Sequence, residues 1–227
     1  VFWTGPAELP LHTLLTAMTW AGCGEPHAIF SGGVRYVPPA AARQVDREAF
    51  ERLTEQGLTV GKALDPDFED VLHVLDRPHT EYFAHIRSGD TQYGVLVAIR
   101  GRSAVLARHR DRTVHLRSLG DRDYPTVLAG QLPRYRPAPV ETFSLPKGDL
   151  DGLARLLDNP RGMGFLHVAR RAGGGERVEA PAPVGYLDSD TGRLGFTHAE
   201  GGGHLTVFAG EPGQLAARLT AVRATLS

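Results

Sequence analysis

Residues Asp67 to Ile86 recur, degenerate but without a gap, at Asp149 to Val168, so the chain is built from two related halves. Six positions are identical across the pair: Asp67/Asp149, Leu75/Leu157, Asp76/Asp158, Pro78/Pro160, Phe83/Phe165 and His85/His167. Others are conservative, among them Phe68/Leu150, Val71/Leu153 and Val74/Leu156. The unit is too long and its copies too few for a solenoid. It reads as a helix followed by a strand, used twice about a pseudo-two-fold axis, with His85 and His167 at equivalent points.

The helix of the first copy is well punctuated. Asp65 caps it, Pro66 takes the first turn, acidic Asp67 and Glu69 sit at the positive end of the dipole, and Pro78 follows the stop. Its apolar face is Phe68, Val71, Leu72 and Leu75, and the matching face of the second copy is Leu150, Leu153, Ala154 and Leu157. Strands follow each helix. In the first half they run over 81–87, 91–100, 103–109 and 113–119, closed by a helix over 121–132. In the second half they run over 164–170, 184–187, 192–198 and 203–208, closed by a helix after Pro212 with Leu215, Leu219, Val222 and Leu226 on one side. Upstream, Leu11, Leu14, Leu15 and Met18 make a helical stripe, the stretch 25–45 reads as irregular, and a second helix starts after Asp46 as N-cap and runs toward Gly57. The expected fold is α+β: two pseudo-two-fold related subdomains, each an antiparallel β-meander with flanking helices. A chain of 227 residues, 41% hydrophobic, can bury one such core, so 1–227 is expected to be a single domain. It comprises a helical segment 1–64, a first repeat of about 65–133 and a second of about 147–227.

A net charge of −1 gives nucleic acid or an anionic membrane no electrostatic reason to bind. The single cysteine, Cys23, has neither a disulfide partner nor zinc spacing around it, which points to a reducing compartment. No basic stretch precedes an apolar run at the first residues, and no apolar segment is long enough to span a bilayer. The expectation is a soluble, cytoplasmic protein.

Ten histidines invite a metal or acid–base reading. The best pair is His85 with His167, which the pseudo-symmetry can bring together on adjoining strands, but neither repeat supplies a nearby cysteine or a strand-borne acid as a further ligand. Asp188-Ser189-Asp190 resembles the Asp-x-Asp of divalent-cation sites, yet it leads into Thr191-Gly192 between two strands and reads as a turn. Gly173–Gly175 and Gly201–Gly203 lack the strand-to-helix context of a phosphate loop. Cys23 with nearby His27 is a weak nucleophile candidate. No enzyme signature survives, and neither a metal nor an organic cofactor is expected.

Several segments resemble the EspG family, the secretion-associated chaperones of actinobacterial type VII (ESX) systems. They are the run Gly185-Tyr186-Leu187-Asp188-Ser189-Asp190-Thr191-Gly192-Arg193, the stretches Phe50–Leu58 and Ile99–Ala107, and Leu132-Pro133. The resemblance runs from about Asp46 to the C-terminus, while Trp20 to Arg43 departs from the family's usual approach to the second helix. It implies a binding module that meets the exposed apolar tip of a PPE-type protein, itself paired with a PE-type protein, in the cytoplasm before export. It implies no cofactor, and a monomer or weak homodimer. The alternatives are a metal-dependent enzyme using His85/His167 or Asp188/Asp190, and a regulatory interaction protein with no secretion role.

Asymmetry between the copies points to the partner surface. After His85 the chain reverses tightly through Ser88-Gly89-Asp90-Thr91, whereas after His167 it wanders through Arg170, Arg171 and a glycine run before Pro183. The partner is expected near Arg87, Asp90, Gln92 and Tyr93, together with the last helix around Arg218 and Val222. Residues 171–183, with Arg170 and Arg171, form the competing location.

Overall fold

A computed structural model describes residues 3–31, 38–146, 148–149, 159–172, 175–198 and 203–226. It is α+β and divides into two compact units, one of Val1–Glu81 with Gly94–Asp121, the other of Tyr82–Tyr93 with Arg122–Ser227.

The first unit carries β1 (Pro6–Pro10), α1 (Leu11–Trp20), a 3-10 turn (Ala28–Phe30), α2 (Pro39–Glu55), the small hairpin β2 (Thr59–Val60) and β3 (Ala63–Leu64), and α3 (Pro66–Asp76). It also holds most of β5 (Thr91–Arg100), all of β6 (Ser103–Arg110) and β7 (Thr113–Leu119), in the strand order β1-β7-β6-β5. Helix α3 starts where its punctuation says it should: the Asp65 carboxylate accepts from the amides of Asp67 (2.9 Å) and Phe68 (3.2 Å), two of the donors a helix start leaves unpaired. Its face of Phe68, Val71, Leu72 and Leu75 is buried, and the helix packs on β6 and α1. From α1, Leu11, Leu14 and Met18 are buried as the stripe requires.

Helix α2 departs from the sequence reading. It begins at Pro39, not after Asp46, which stands exposed in mid-helix. Proline is pre-set for a first helical turn, and Ala40, Ala41 and Ala42 then favour helix more strongly than an internal aspartate favours a cap. Ser31 is described, but Gly32-Gly33, also expected to be irregular, lies outside the described residues.

The second unit holds most of β4 (Thr80–Ser88), α4 (Tyr124–Ala129), β8 (Phe143–Pro146), β9 (Gly162–Arg171), β10 (Arg177–Glu179), β11 (Val184–Ser189), β12 (Gly192–His198), β13 (His204–Ala209) and α5 (Pro212–Ala224). Its strand order is β4-β9-β11-β12-β13-β8, with β10 alongside β9. The pairings from β9 through β8 are antiparallel. Helix α5 packs on β9, β11 and α4. Aromatic rings lie over cross-strand glycines: Tyr186 over Gly164, Phe196 over Gly185 and Phe208 over Gly195, each where a Cβ would strike the ring. Helix α4 is shorter than the expected 121–132 because Pro125 sets its first turn and Gly130 ends it.

In chain order, β4-β5-β6-β7-α4 is echoed by β9-β11-β12-β13-α5. The expected second-copy helix with Leu150, Leu153, Ala154 and Leu157 lies outside the described residues, as do Gly173-Gly174 and Gly201-Gly202. The sequence left β1, β2, β3, β8 and β10 unmarked. They are two to five residues long, too short to show alternation. Among the described residues no helix is long and apolar enough to cross a membrane.

Candidate partner-binding surface

The sheet of the second unit has two unlike faces, set by the alternation of side chains along each strand. On one face α5 covers Leu166, Val168 and Tyr186, all buried. Here the Arg170 guanidinium donates to the Leu226 carbonyl, and Arg218 of α5 lies 5.0 Å from the centre of the Phe208 ring.

The opposite face gathers Phe83, His85 and Arg87 from β4 with Met163, Phe165 and His167 from β9. The rings of Phe83 and His167 stack at 4.7 Å and 11°. His85 meets them edge-on, at 6.2 Å from Phe83 and 6.4 Å from His167. The Arg177 guanidinium sits 5.4 Å from the centre of Phe83, Arg87 donates to the Met163 sulfur at 3.4 Å, and Phe165 stands edge-on to Phe196 at 6.0 Å. Half-buried Leu187 and Phe196 continue the patch toward a small core of Ala138, Leu194 and Val207, with Val140, Phe143 and Leu145 against it. The result is a cluster of half-buried aromatic and aliphatic side chains around the buried Phe83 ring, flanked by Arg87, Arg177 and Glu179.

The pairing of His85 with His167 on adjoining strands is thus present. A strand-borne acid is present too, contrary to the sequence reading: Glu179 of β10 lies 2.9 Å from His167 Nδ1 and 3.0 Å from Arg177. The one apolar residue of Arg177-Val178-Glu179 gave no alternation to recognise, and only pairing with Ala169–Arg171 makes the segment a strand. Among the described residues, no three His, Cys, Asp or Glu side chains are grouped so as to hold a metal ion.

The six expected contact residues separate. Arg87, Asp90 and Gln92 are exposed at or beside the β4–β5 turn, Arg87 on the open aromatic face. Tyr93 is buried, its hydroxyl donating to the Gln131 carbonyl at 2.9 Å, so it holds the fold and presents nothing to a partner. Arg218 and Val222, half-buried, belong to the helix that covers the other face. Alternation along a strand is legible in sequence; which face a distant helix covers is not.

Asp188 and Asp190 are both engaged by arginines. Asp188, wholly buried, takes Arg193 Nε at 2.6 Å and Nη2 at 2.9 Å, while Arg193 Nη2 also donates to the Pro133 carbonyl at 2.8 Å. Asp190 lies in the β11–β12 turn and accepts from Arg161 Nε at 2.9 Å and Asn159 at 3.0 Å. The Arg161 and Asn159 hydrogen bonds hold its carboxyl below the usual aspartate range.

Cys23 has His73, not His27, as its neighbour, with Sγ 4.0 Å from Nδ1. Burial, then the negative charges of Asp76 and Glu69, push its thiol up to about 11. Reactivity follows the thiolate, so alkylation by iodoacetamide near neutral pH is expected to be on the order of a hundredfold slower than for a free thiol. A mass-spectrometric time course on the native protein checks this; labelling at the free-cysteine rate would contradict it.

The fold is α+β, and the second unit's sheet has one helix-covered face and one face of half-buried aromatic side chains with charged neighbours. The chain belongs to the EspG family, whose model matches residues 10–221. None of the curated proteins matches it. Among solved structures, its fold is similar to that of the Mycobacterium tuberculosis type VII secretion system chaperone EspG5, solved in complex with a PE25-PPE41 dimer. The two share 14% sequence identity and a TM-score of 0.76 over 98% of this chain and 97% of the other.

Proposed function

We propose that this protein is a cytoplasmic chaperone of a type VII secretion system, which binds a PE/PPE-type heterodimer at the apolar tip of its PPE subunit and keeps it soluble for export. Membership of the EspG family across residues 10–221 carries this reading. The shared fold with a chaperone solved bound to a PE–PPE dimer supports it. An exposed apolar tip is an association site by default, and a chaperone with an apolar-aromatic face covers it reversibly. The role is non-catalytic and needs no cofactor. The whole chain, 1–227, acts as one EspG-like domain with pseudo-two-fold repeats of about 65–133 and 147–227, supported by the matching element order of the two halves. The partner meets the second unit's sheet near Arg87, Asp90 and Gln92, with the last helix around Arg218 and Val222 as the second contact.

Co-expression with each PE–PPE pair of the source organism tests the reading. A stable ternary complex on size-exclusion chromatography is expected with at least one pair, together with more soluble PPE protein. If every pair stays unbound while the chaperone is folded, the secretion role fails, and a partner outside the PE/PPE class recovered from the native host would establish the regulatory alternative.

A further inference from the structure

We propose that the first unit carries a docking site of its own, a groove among α1, α2, α3 and the β2–β3 hairpin that receives an amphipathic peptide helix. The peptide sets an apolar ridge against Trp20, carboxylates one turn apart against Arg43 and Arg47, and a basic residue against Glu51. The site goes beyond the secretion reading and uses no residue of the second unit.

The groove encloses about 660 Å³. Its floor is apolar: the Trp20 ring at the end of α1 lies 6.3 Å from that of Phe50 on α2, with half-buried Leu64 from β3 beside them. Trp20 is 40% exposed, an unusual amount for the residue type that most often anchors a protein contact. Val60, 61% exposed, stands across the hairpin from Ala63, which lines the groove, and so extends the apolar patch.

Helix α2 supplies the charges. Arg43, Asp46, Arg47, Phe50 and Glu51 follow helical spacing and line the groove, while Ala49 and Leu53 are buried in the core. Elsewhere on this helix polar side chains find partners, Gln44 with Glu48 at 2.8 Å and Arg52 with Glu55 at 2.8 Å. Among the described residues, the side chains of Arg43, Arg47 and Lys62 make no ion pair or hydrogen bond. Like charges one turn apart also weaken a helix, so the Arg43/Arg47 spacing gains the fold nothing.

The pattern selects the occupant. Asp46, Glu51 and Glu69 stand among the cations, so a nucleic acid or other polyanion would meet carboxylates beside them. A small apolar molecule would leave Arg43 and Arg47 unanswered. A peptide helix spaces its own charges at the intervals α2 uses, and it can answer both signs while burying an apolar ridge.

The probe is a phage-displayed random library of peptides about 16 residues long, enough to form a helix, selected on the folded full chain. Enriched peptides should carry apolar residues at helical spacing, an acidic pair one turn apart and a basic residue beyond it. In a Trp3→Phe protein Trp20 is the sole tryptophan, and its emission should move to shorter wavelength when a synthetic enriched peptide binds. Arg43→Glu with Arg47→Glu should weaken that peptide at least about tenfold, and exchanging the peptide's acidic pair for lysines should restore binding. Restoration also shows that the variant is folded, as expected for two exposed arginines. A selection that enriches nothing, binding that leaves Trp20 emission unmoved, or binding indifferent to the charge reversal would each overturn the site. An emission shift produced by raising the protein's own concentration would overturn it too, by assigning the groove to a second copy of this chain.

Discussion

Arg193→Met is expected to cost about 3–5 kcal/mol of folding stability, the penalty for leaving a buried charge without its partner. Arg193 is 1% exposed and Asp188 0%, and their two hydrogen bonds form a bidentate pair. The guanidinium lies 4.5 Å from the centre of the Tyr186 ring, and the Arg193 backbone bonds to Arg136, Ala138 and Gly210. Removing the side chain strands the Asp188 carboxylate in the core and frees the Pro133 carbonyl from its donor. The double variant Asp188→Leu/Arg193→Met should recover most of the loss, because an apolar pair carries no desolvation penalty. Thermal unfolding checks both: the single variant should melt on the order of 10 °C lower, and the double variant close to the wild type. A single variant within about 1 kcal/mol of wild type would show that the pair contributes little and that the backbone bonds of Arg193 to Arg136, Ala138 and Gly210 suffice there.

Arg87→Glu is expected to weaken complex formation with the cognate PE–PPE pair at least about tenfold, with most of the change in the association rate, as befits a rim charge. Arg87 is exposed and its side chain donates to a thioether, so reversing its charge should leave the fold intact while altering the edge of the aromatic patch. Tyr93→Ala is a poor companion, since that ring is buried and its loss would read as a packing defect. Paired variants separate the locations: Arg218→Glu with Val222→Asp for the helix-covered face, and Arg170→Glu with Arg171→Glu for the segment after His167. Thermal melts must accompany the last pair because Arg170 anchors Leu226. Binding unaffected by Arg87→Glu but lost in the helix pair would move the contact to the helix, and loss in the Arg170/Arg171 pair alone would move it to the segment 171–183.

Local chemistry was legible residue by residue. Asp65, Pro66 and Pro78 mark the ends of α3 because a cap and two prolines act on the backbone within a few bonds of themselves. The β5, β7 and β12 strands fell at their expected bounds, since alternation or an unbroken apolar run shows over seven residues or more. Where local signals compete, as between Pro39 with its alanines and Asp46, the outcome depends on their summed propensities, and the earlier start prevailed.

By itself the sequence determined the α+β elements, the like order of strands and closing helix in the two halves and the family to which the chain belongs, because each resides in spacing and identity along the chain. Only the tertiary structure decided that Arg87 and Arg218 stand on opposite faces of one sheet, that Glu179 meets His167, that Arg193 neutralises Asp188 and that Cys23 lies against His73. Those relations join residues through strand register and helix packing, whose energies sum over contacts distant in sequence and leave no mark in any short stretch of it.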